Sequence, residues 1–244
     1  MMTINRTFVT GDTHGFKHFK HLMDISTFYE NDLTENDVII ILGEATLTWH
    51  NDTCKNLKKI LMYDLLPCKI AIVDGNHENF ETLYNYPVVE MYGGTVRKIT
   101  NKICYLERGQ VYTLNTVKIF AFGGGYSYDS KKRIPYVDWW PQEMPTMSDM
   151  RRGLQNLDEH NWSVDYLLTH TCGLHDLVDL EAKTGLDFIH GRENPEYNLN
   201  FYISELKKRL LFDHHYCGHF HQDMTVNKKT TFLFESYYEI TKYP

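Results

Sequence analysis

Two short runs put carboxylates and imidazoles where a metal ion could use them: Gly11-Asp12-Thr13-His14-Gly15 near the start and Gly218-His219-Phe220-His221 near the end. In each, two donor side chains stand two residues apart. Such spacing can turn both to one side of the backbone. Asp12 and His14 then face one ion, and His219 and His221 share a side while Phe220 points the other way. Three further segments carry similar residue types. Leu42-Gly43-Glu44 closes an isoleucine-rich run, Asp74-Gly75-Asn76-His77-Glu78 follows the run CKIAIV, and Thr169-His170 ends DYLLTH. Asn76 offers a neutral amide oxygen and His77 a titratable imidazole. Each segment also has a plain structural reading. Asp12 and Asn76 suit the N-cap of a following helix, Glu44 suits a strand-end turn, and a lone His170 suits a structural role. Taken together, Asp12, Glu44, Asn76, His14, His170, His219 and His221 can supply ligands for two adjacent divalent ions. Mixed carboxylate and imidazole donors suit Mn, Fe, Zn or Ni better than Mg or Ca. We favour manganese.

These segments all follow runs that read as strands, and ligands in α/β folds gather beyond the carboxyl ends of strands. RTFVTG at 6–11, NDVIIILG at 36–43 and CKIAIV at 68–73 read as buried strands. Helical spacing runs through 16–29, on Phe16, Phe19, Leu22, Met23 and Ile25, and through 52–65, on Leu57, Ile60, Leu61 and Leu65. This β-α-β-α-β order predicts a parallel sheet. Short β-prone runs over 88–122 predict an antiparallel meander. Helices follow at 148–160 and 200–212, around the strand DYLLTH, and the runs MTVN and TTFLFES read as final strands. The pattern predicts one α/β domain spanning 1–244, with a mixed pair of sheets.

Composition narrows the functions. Of the 244 residues, 42% are hydrophobic and 23% charged, which suits a globular chain and not a disordered one. A net charge of −7 gives no electrostatic footprint for non-specific binding to nucleic acid. The start, MMTINRTFVT, lacks a basic region followed by an apolar core, which predicts no signal peptide. No apolar run approaches the length of a membrane span. Cys54, Cys68, Cys104, Cys172 and Cys217 are scattered and form no CxxC pair. They read as reduced, mostly buried thiols of a cytoplasmic protein.

The order D-x-H, G-[D/E], G-N-H-E, a later H and G-H-x-H resembles the signature of the calcineurin-like metallophosphoesterases. It runs from residue 11 to residue 221, most of the chain. The resemblance implies a four-layer sandwich, α/β (α+β), of two mixed β-sheets flanked by helices. It implies a phosphoesterase that hydrolyses a mono- or diester of a small phosphorylated substrate with a metal-activated water. By the same resemblance, Asp12, His14 and His221 hold the first metal. Asn76, His170 and His219 hold the second, and Glu44 bridges both. His77 binds no metal; it faces the substrate and protonates the leaving oxygen or stabilises its charge.

Two departures stand out. The family usually has aspartate at the bridge, and here Glu44 adds a methylene: the carboxylate either still bridges with a small shift, binds one metal only, or lowers affinity for one, and this departure bears on activity rather than on fold. The second motif reads Gly43-Glu44-Ala45-Thr46-Leu47-Thr48-Trp49 rather than GDxxDRG. That sets the chain apart from the protein serine/threonine phosphatases and the diadenosine-tetraphosphate hydrolases. Among alternatives, a protein-binding scaffold would be expected to have lost several ligands, and a nuclease-type phosphodiesterase would be expected to carry a basic groove or an added binding domain. The proline- and aromatic-rich stretch 126–147 reads either as a cap loop over the site or as a satellite apolar cluster. Gly123-Gly124-Gly125 reads as a strand-end turn, slightly ahead of a loop at the site. Arg133, Arg151 and Arg192 could each bind phosphate, although solvated arginines are commoner.

Overall fold

The computed structural model describes residues 5–15, 33–188 and 194–242. The helix expected at 16–29 and Arg192 lie outside them. A seven-stranded sheet carries β1 (Thr7–Thr10), β2 (Val38–Ile41), β3 (Lys69–Val73), β4 (Val88–Met91), β5 (Gly94–Lys98) and β6 (Ile103–Leu106). A six-stranded sheet carries β7 (Gln110–Leu114), β8 (Val117–Phe122), β9 (Tyr166–Thr169), β10 (His214–Cys217), β11 (Met224–Asn227) and β12 (Thr230–Phe232). The last strand, β13 (Tyr237–Ile240), returns to the first sheet and pairs antiparallel with β1. Strand order is β13-β1-β2-β3-β6-β5-β4 in one sheet and β11-β12-β10-β9-β8-β7 in the other. In the centre of each sheet the strands run parallel: β1, β2, β3 and β6 in the first, β8, β9, β10 and β12 in the second.

The period-two alternation of side chains builds the layers. Val38 and Ile40 of β2 meet Ile119 and Ala121 of β8 in one buried cluster between the sheets. Ile39 and Ile41 turn outward, to join Ile60 and Tyr63 of α1 (Thr53–Asp64) and Phe80 and Leu83 of α2 (Phe80–Tyr84). Phe120 and Phe122 turn outward from the second sheet toward α3 (Met147–Glu159) and α5 (Tyr197–Arg209). Helix α4 (Leu174–Thr184) packs a further cluster against Cys217 and Phe232. Helix, sheet, sheet and helix thus form the four layers. Both central sheets are covered on each face, which is why their strands read as continuous apolar runs. Among the described residues no helix is long and apolar enough to cross a membrane. All five cysteines are free thiols, and four of them are buried.

Several local expectations are corrected. The region 88–122 is not one meander: β4, β5 and β6 pair in the first sheet, while β7 and β8 form a hairpin in the second. Helix α1 does not bury the stripe Leu57, Leu61 and Leu65, which are all exposed. It buries Asn56, Lys59, Ile60 and Tyr63, because polar partners select that face. Lys59 Nζ donates to Thr46 O at 3.0 Å, Asn56 Nδ2 to His50 O at 2.6 Å, and Tyr63 OH to Thr13 Oγ1 at 2.6 Å. Helix α5 begins and ends about a turn before the expected 200–212, leaving Phe201 and Leu211 exposed. TTFLFES is strand only over its first residues, and β13 has no counterpart among the expected strands. Asn79, not Asn76, caps the helix after β3, accepting from Thr82 N.

Candidate metal centre

The carboxyl ends of β1, β2, β3, β8, β9 and β10 converge from both sheets, and every motif read from the sequence sits on the loop after one of them. The donor atoms of Asp12, His14, Glu44 and His221 lie within 4.8 Å of one another, and so do those of Glu44, His170 and His219. Glu44 is common to both groups. Asn76 stands beside the second group, with Oδ1 2.8 Å from His170 Nε2. His77 lies at the rim: its Nδ1 is 2.8 Å from Glu44 Oε1 and its ring is 5.2 Å from that of Trp49.

Left-handed backbone aims these side chains. His14, Glu44, His219 and His221 all have positive φ, from 46° to 69°. Non-glycine residues adopt this region rarely and at a cost, and such residues gather at functional sites. The expectation that an extended strand would place His219 and His221 together is therefore corrected. They share the site through two left-handed turns, while Phe220 anchors the loop in the apolar cluster with Phe232. Gly43 has φ of 113°, and a Cβ there would overlap the His170 ring. Gly125 is confined less severely: a Cβ would meet His170 Cδ2 at 2.9 Å and His219 Cε1 at 3.4 Å. The glycine run after β8 is thus part of the wall of the site rather than a mere turn.

The hydrogen bonds fix orientations. Ser127 Oγ donates to Glu143 Oε2 at 2.6 Å and accepts from Asn76 Nδ2 at 3.0 Å, so the amide oxygen of Asn76 must face His170. His170 donates from Nδ1 to Leu42 O at 2.7 Å, and burial pushes its pKa down, leaving a neutral ring with its lone pair on Nε2. Two acceptors therefore face each other, an arrangement that a cation between them would satisfy. Glu44 Oε2 and both ring nitrogens of His219 are also buried without an aligned hydrogen-bond partner among the described residues. Unpartnered buried polar atoms are costly; the Glu44 oxygen, and the single lone pair that His219 offers once deprotonated, fit a metal.

The charges are arranged accordingly. Burial alone would raise the Glu44 carboxyl, but His77 and His14 outweigh it and hold the pKa well below the usual range. Burial works against a charged His219, yet Glu196, Glu44 and Asp12 raise it to about 9. Glu196 belongs to none of the sequence motifs. Its Oε1 lies 3.0 Å from His219 Nε2, off the N–H direction, and it also accepts from Tyr126 N and from Thr171 Oγ1 at 2.8 Å. A buried carboxylate behind a metal-facing histidine sets the ring's orientation and basicity. Glu143 and Ser127 play the same part for Asn76, and they belong to the 126–147 stretch. No motif marks any of the three. Of the candidate arginines, Arg133 reaches His77, with Nη2 3.2 Å from Nε2, whereas Arg151 is exposed on α3.

The sequence profile of the calcineurin-like phosphoesterases matches residues 6–223, so the chain belongs to that family. No curated protein matches it. A solved structure, the protein of unknown function AQ665 from Aquifex aeolicus, is similar at 15% identity over 69% of this chain and 81% of that one. The TM-score between the two is 0.26.

Proposed function

We propose that this chain is a two-metal phosphoesterase, one domain over 1–244, that acts on a small phosphorylated substrate. The observation that carries this reading is the sharing of Glu44 between the two donor groups. Asp12, His14 and His221 would hold one ion, Asn76, His170 and His219 the other, with Glu44 between them. Two divalent ions, with manganese favoured, would lower the pKa of water toward about 7 and neutralise phosphoryl charge. In the overall reaction the water oxygen forms a bond to phosphorus, the ester P–O bond breaks, and the leaving oxygen takes a proton. His77 is placed to serve that proton: Glu44 orients it through Nδ1, and Nε2 points to the rim.

Glutamate suits the bridge here. Its two oxygens lie 2.8 Å from His14 Nδ1 and 2.8 Å from His77 Nδ1. The extra methylene is thus used, and Glu44→Asp should lower activity rather than restore it. The test is Mn-dependent hydrolysis of p-nitrophenyl phosphate and its bis-ester by the natural chain, Glu44→Asp and His77→Ala. The reading requires turnover of at least one ester and a loss of about 100-fold in His77→Ala, the usual scale of a general acid. No turnover with Mn, Fe, Zn or Ni would end it.

A further inference from the structure

Arg133 sits in the 126–147 stretch, next to exposed Lys131 and Lys132. Unlike those lysines, it turns inward. Its Nε and Nη2 each donate to the Asp129 carboxylate at 2.7 Å, and Nη1 donates to Asp138 O at 3.1 Å. The remaining Nη2 hydrogen meets His77 Nε2 at 3.2 Å. The guanidinium carbon lies 5.2 Å from the centre of the Trp49 ring. The loop that delivers it is closely held. Ser127 and Glu143 join its two ends at 2.6 Å, and Ile134 N donates to Asp138 Oδ1 at 2.6 Å. Tyr136 N donates to Trp139 O at 2.7 Å, closing the turn just after Arg133. An exposed Arg–Asp pair contributes little to stability, and the pair here does not need His77 to form. The contact with His77 instead directs a fixed cation at the rim of the centre.

We propose that Arg133 is a substrate-contacting residue that takes a phosphoryl oxygen and selects phosphate monoesters over diesters. This inference rests on the phosphoesterase reading and names the substrate class of that site. A monoester carries three non-bridging oxygens and a diester two. Two oxygens held at the Glu44 centre leave a third only in the monoester, and that oxygen is charged. A guanidinium is suited to it, because its planar fork keeps Asp129 on one edge while a second edge donates to the anion. Asp129 is thus a positioning residue: it holds the fork facing His77 and Trp49.

The test is calorimetric titration of the full chain with inorganic phosphate, with and without Mn, for the natural protein, Arg133→Ala, Arg133→Lys and Asp129→Ala. Circular dichroism checks that each variant is folded, and Arg133→Lys serves if the alanine variant is not. Loss of a charge-assisted hydrogen bond should weaken phosphate binding by about 10- to 100-fold in Arg133→Ala. Arg133→Lys, which keeps the charge without the fork, should fall between. With esters, KM for p-nitrophenyl phosphate should rise by about the same factor, and the ratio of monoester to bis-ester kcat/KM should fall with it. Phosphate affinity equal to the natural protein's in Arg133→Ala, or no phosphate binding by the natural protein, overturns the proposal. Equal losses on both esters overturn the selectivity. If phosphate binds through Arg133 but neither ester is hydrolysed, the binding site stands and the hydrolase reading falls.

Discussion

Glu44→Gln is the most searching single change, because the Glu44 carboxylate belongs to both donor groups. The substitution keeps the shape of a fully buried side chain and removes its charge and one acceptor oxygen. A ligand at one hundred times its Kd stabilises the native state by about 2.7 kcal/mol. For a chain of this length that raises Tm by about 5–10 °C. Removing a residue that merely supports a ligand weakens metal binding by about 10- to 100-fold, so losing the shared charged ligand should reach at least the upper figure. At the same metal concentration the stabilisation then falls to about 0.4 kcal/mol, about 1 °C in Tm. The assay is thermal unfolding with increasing Mn, alongside metal counting after gel filtration. Asp12→Asn and His170→Gln each remove a donor from only one group, so each should keep one equivalent of metal while Glu44→Gln loses both. Two equivalents and a full Tm shift in Glu44→Gln would refute the shared-ligand geometry.

Three further outcomes are expected. Glu196→Gln removes the charge behind His219 and should weaken metal binding by about 10- to 100-fold, measured by Mn titration; unchanged affinity would make Glu196 a packing residue. Ser127→Ala strips Asn76 Nδ2 and Glu143 Oε2 of a buried partner and should cost about 1–3 kcal/mol in denaturant unfolding, with weaker Mn binding as well. The third concerns pH. Burial, helped by Lys207, pushes His215 down to about 4, whereas an unfolded histidine titrates near 6.5. Between those values the unfolded chain binds more protons, so stability falls as pH drops from about 6.5 to about 4, by roughly 3 kcal/mol in all. Urea unfolding in EDTA across that range should show this slope, and His215→Gln should flatten it; parallel slopes for the two proteins would contradict the assignment.

The residues of the two donor groups are legible in the sequence because each carries a distinctive type at the end of a strongly apolar run. Buried strands dictate isoleucine and valine, so a carboxylate or imidazole at the strand end is conspicuous. Their supports are not legible, for the opposite reason. Glu196 stands in the run GRENPEY, where a charged residue reads as solvated surface, and only the fold carries it to His219. Ser127 and Glu143 are sixteen positions apart on an irregular loop, where no periodicity applies. Helix α1 departs from its apolar pattern for a related reason. Apolar spacing points to Leu57 and Leu61, but Asn56, Lys59 and Tyr63 turn inward to reach Thr48, Thr46 and Thr13. Here hydrogen bonding to the loop after β1 and, above all, to the loop after β2 outweighs the burial of leucine.

That loop also shows what the centre demands of the fold. Glu44 and Thr46 both have positive φ, 50° and 51°, on either side of the fully buried Ala45. Thr46 carries no donor to the metal groups, so ligation alone does not account for its conformation. Its carbonyl and hydroxyl instead receive Lys59 Nζ, at 3.0 and 2.8 Å, and its N–H is directed at Glu78 Oε1 at 3.4 Å. Glu78 is buried directly after His77, and Tyr105 OH and Thr48 Oγ1 also donate to it, at 2.9 and 3.3 Å. A single network therefore joins the loop bearing Glu44 to the loop bearing Asn76 and His77. Left-handed non-glycine residues cost of order 1–3 kcal/mol each and persist only where surrounding contacts over-determine them. The network around Glu78 supplies those contacts on the first sheet, as Glu196 and Glu143 do toward the second. The buried acids outside the two donor groups are thus what hold the strained loops in place.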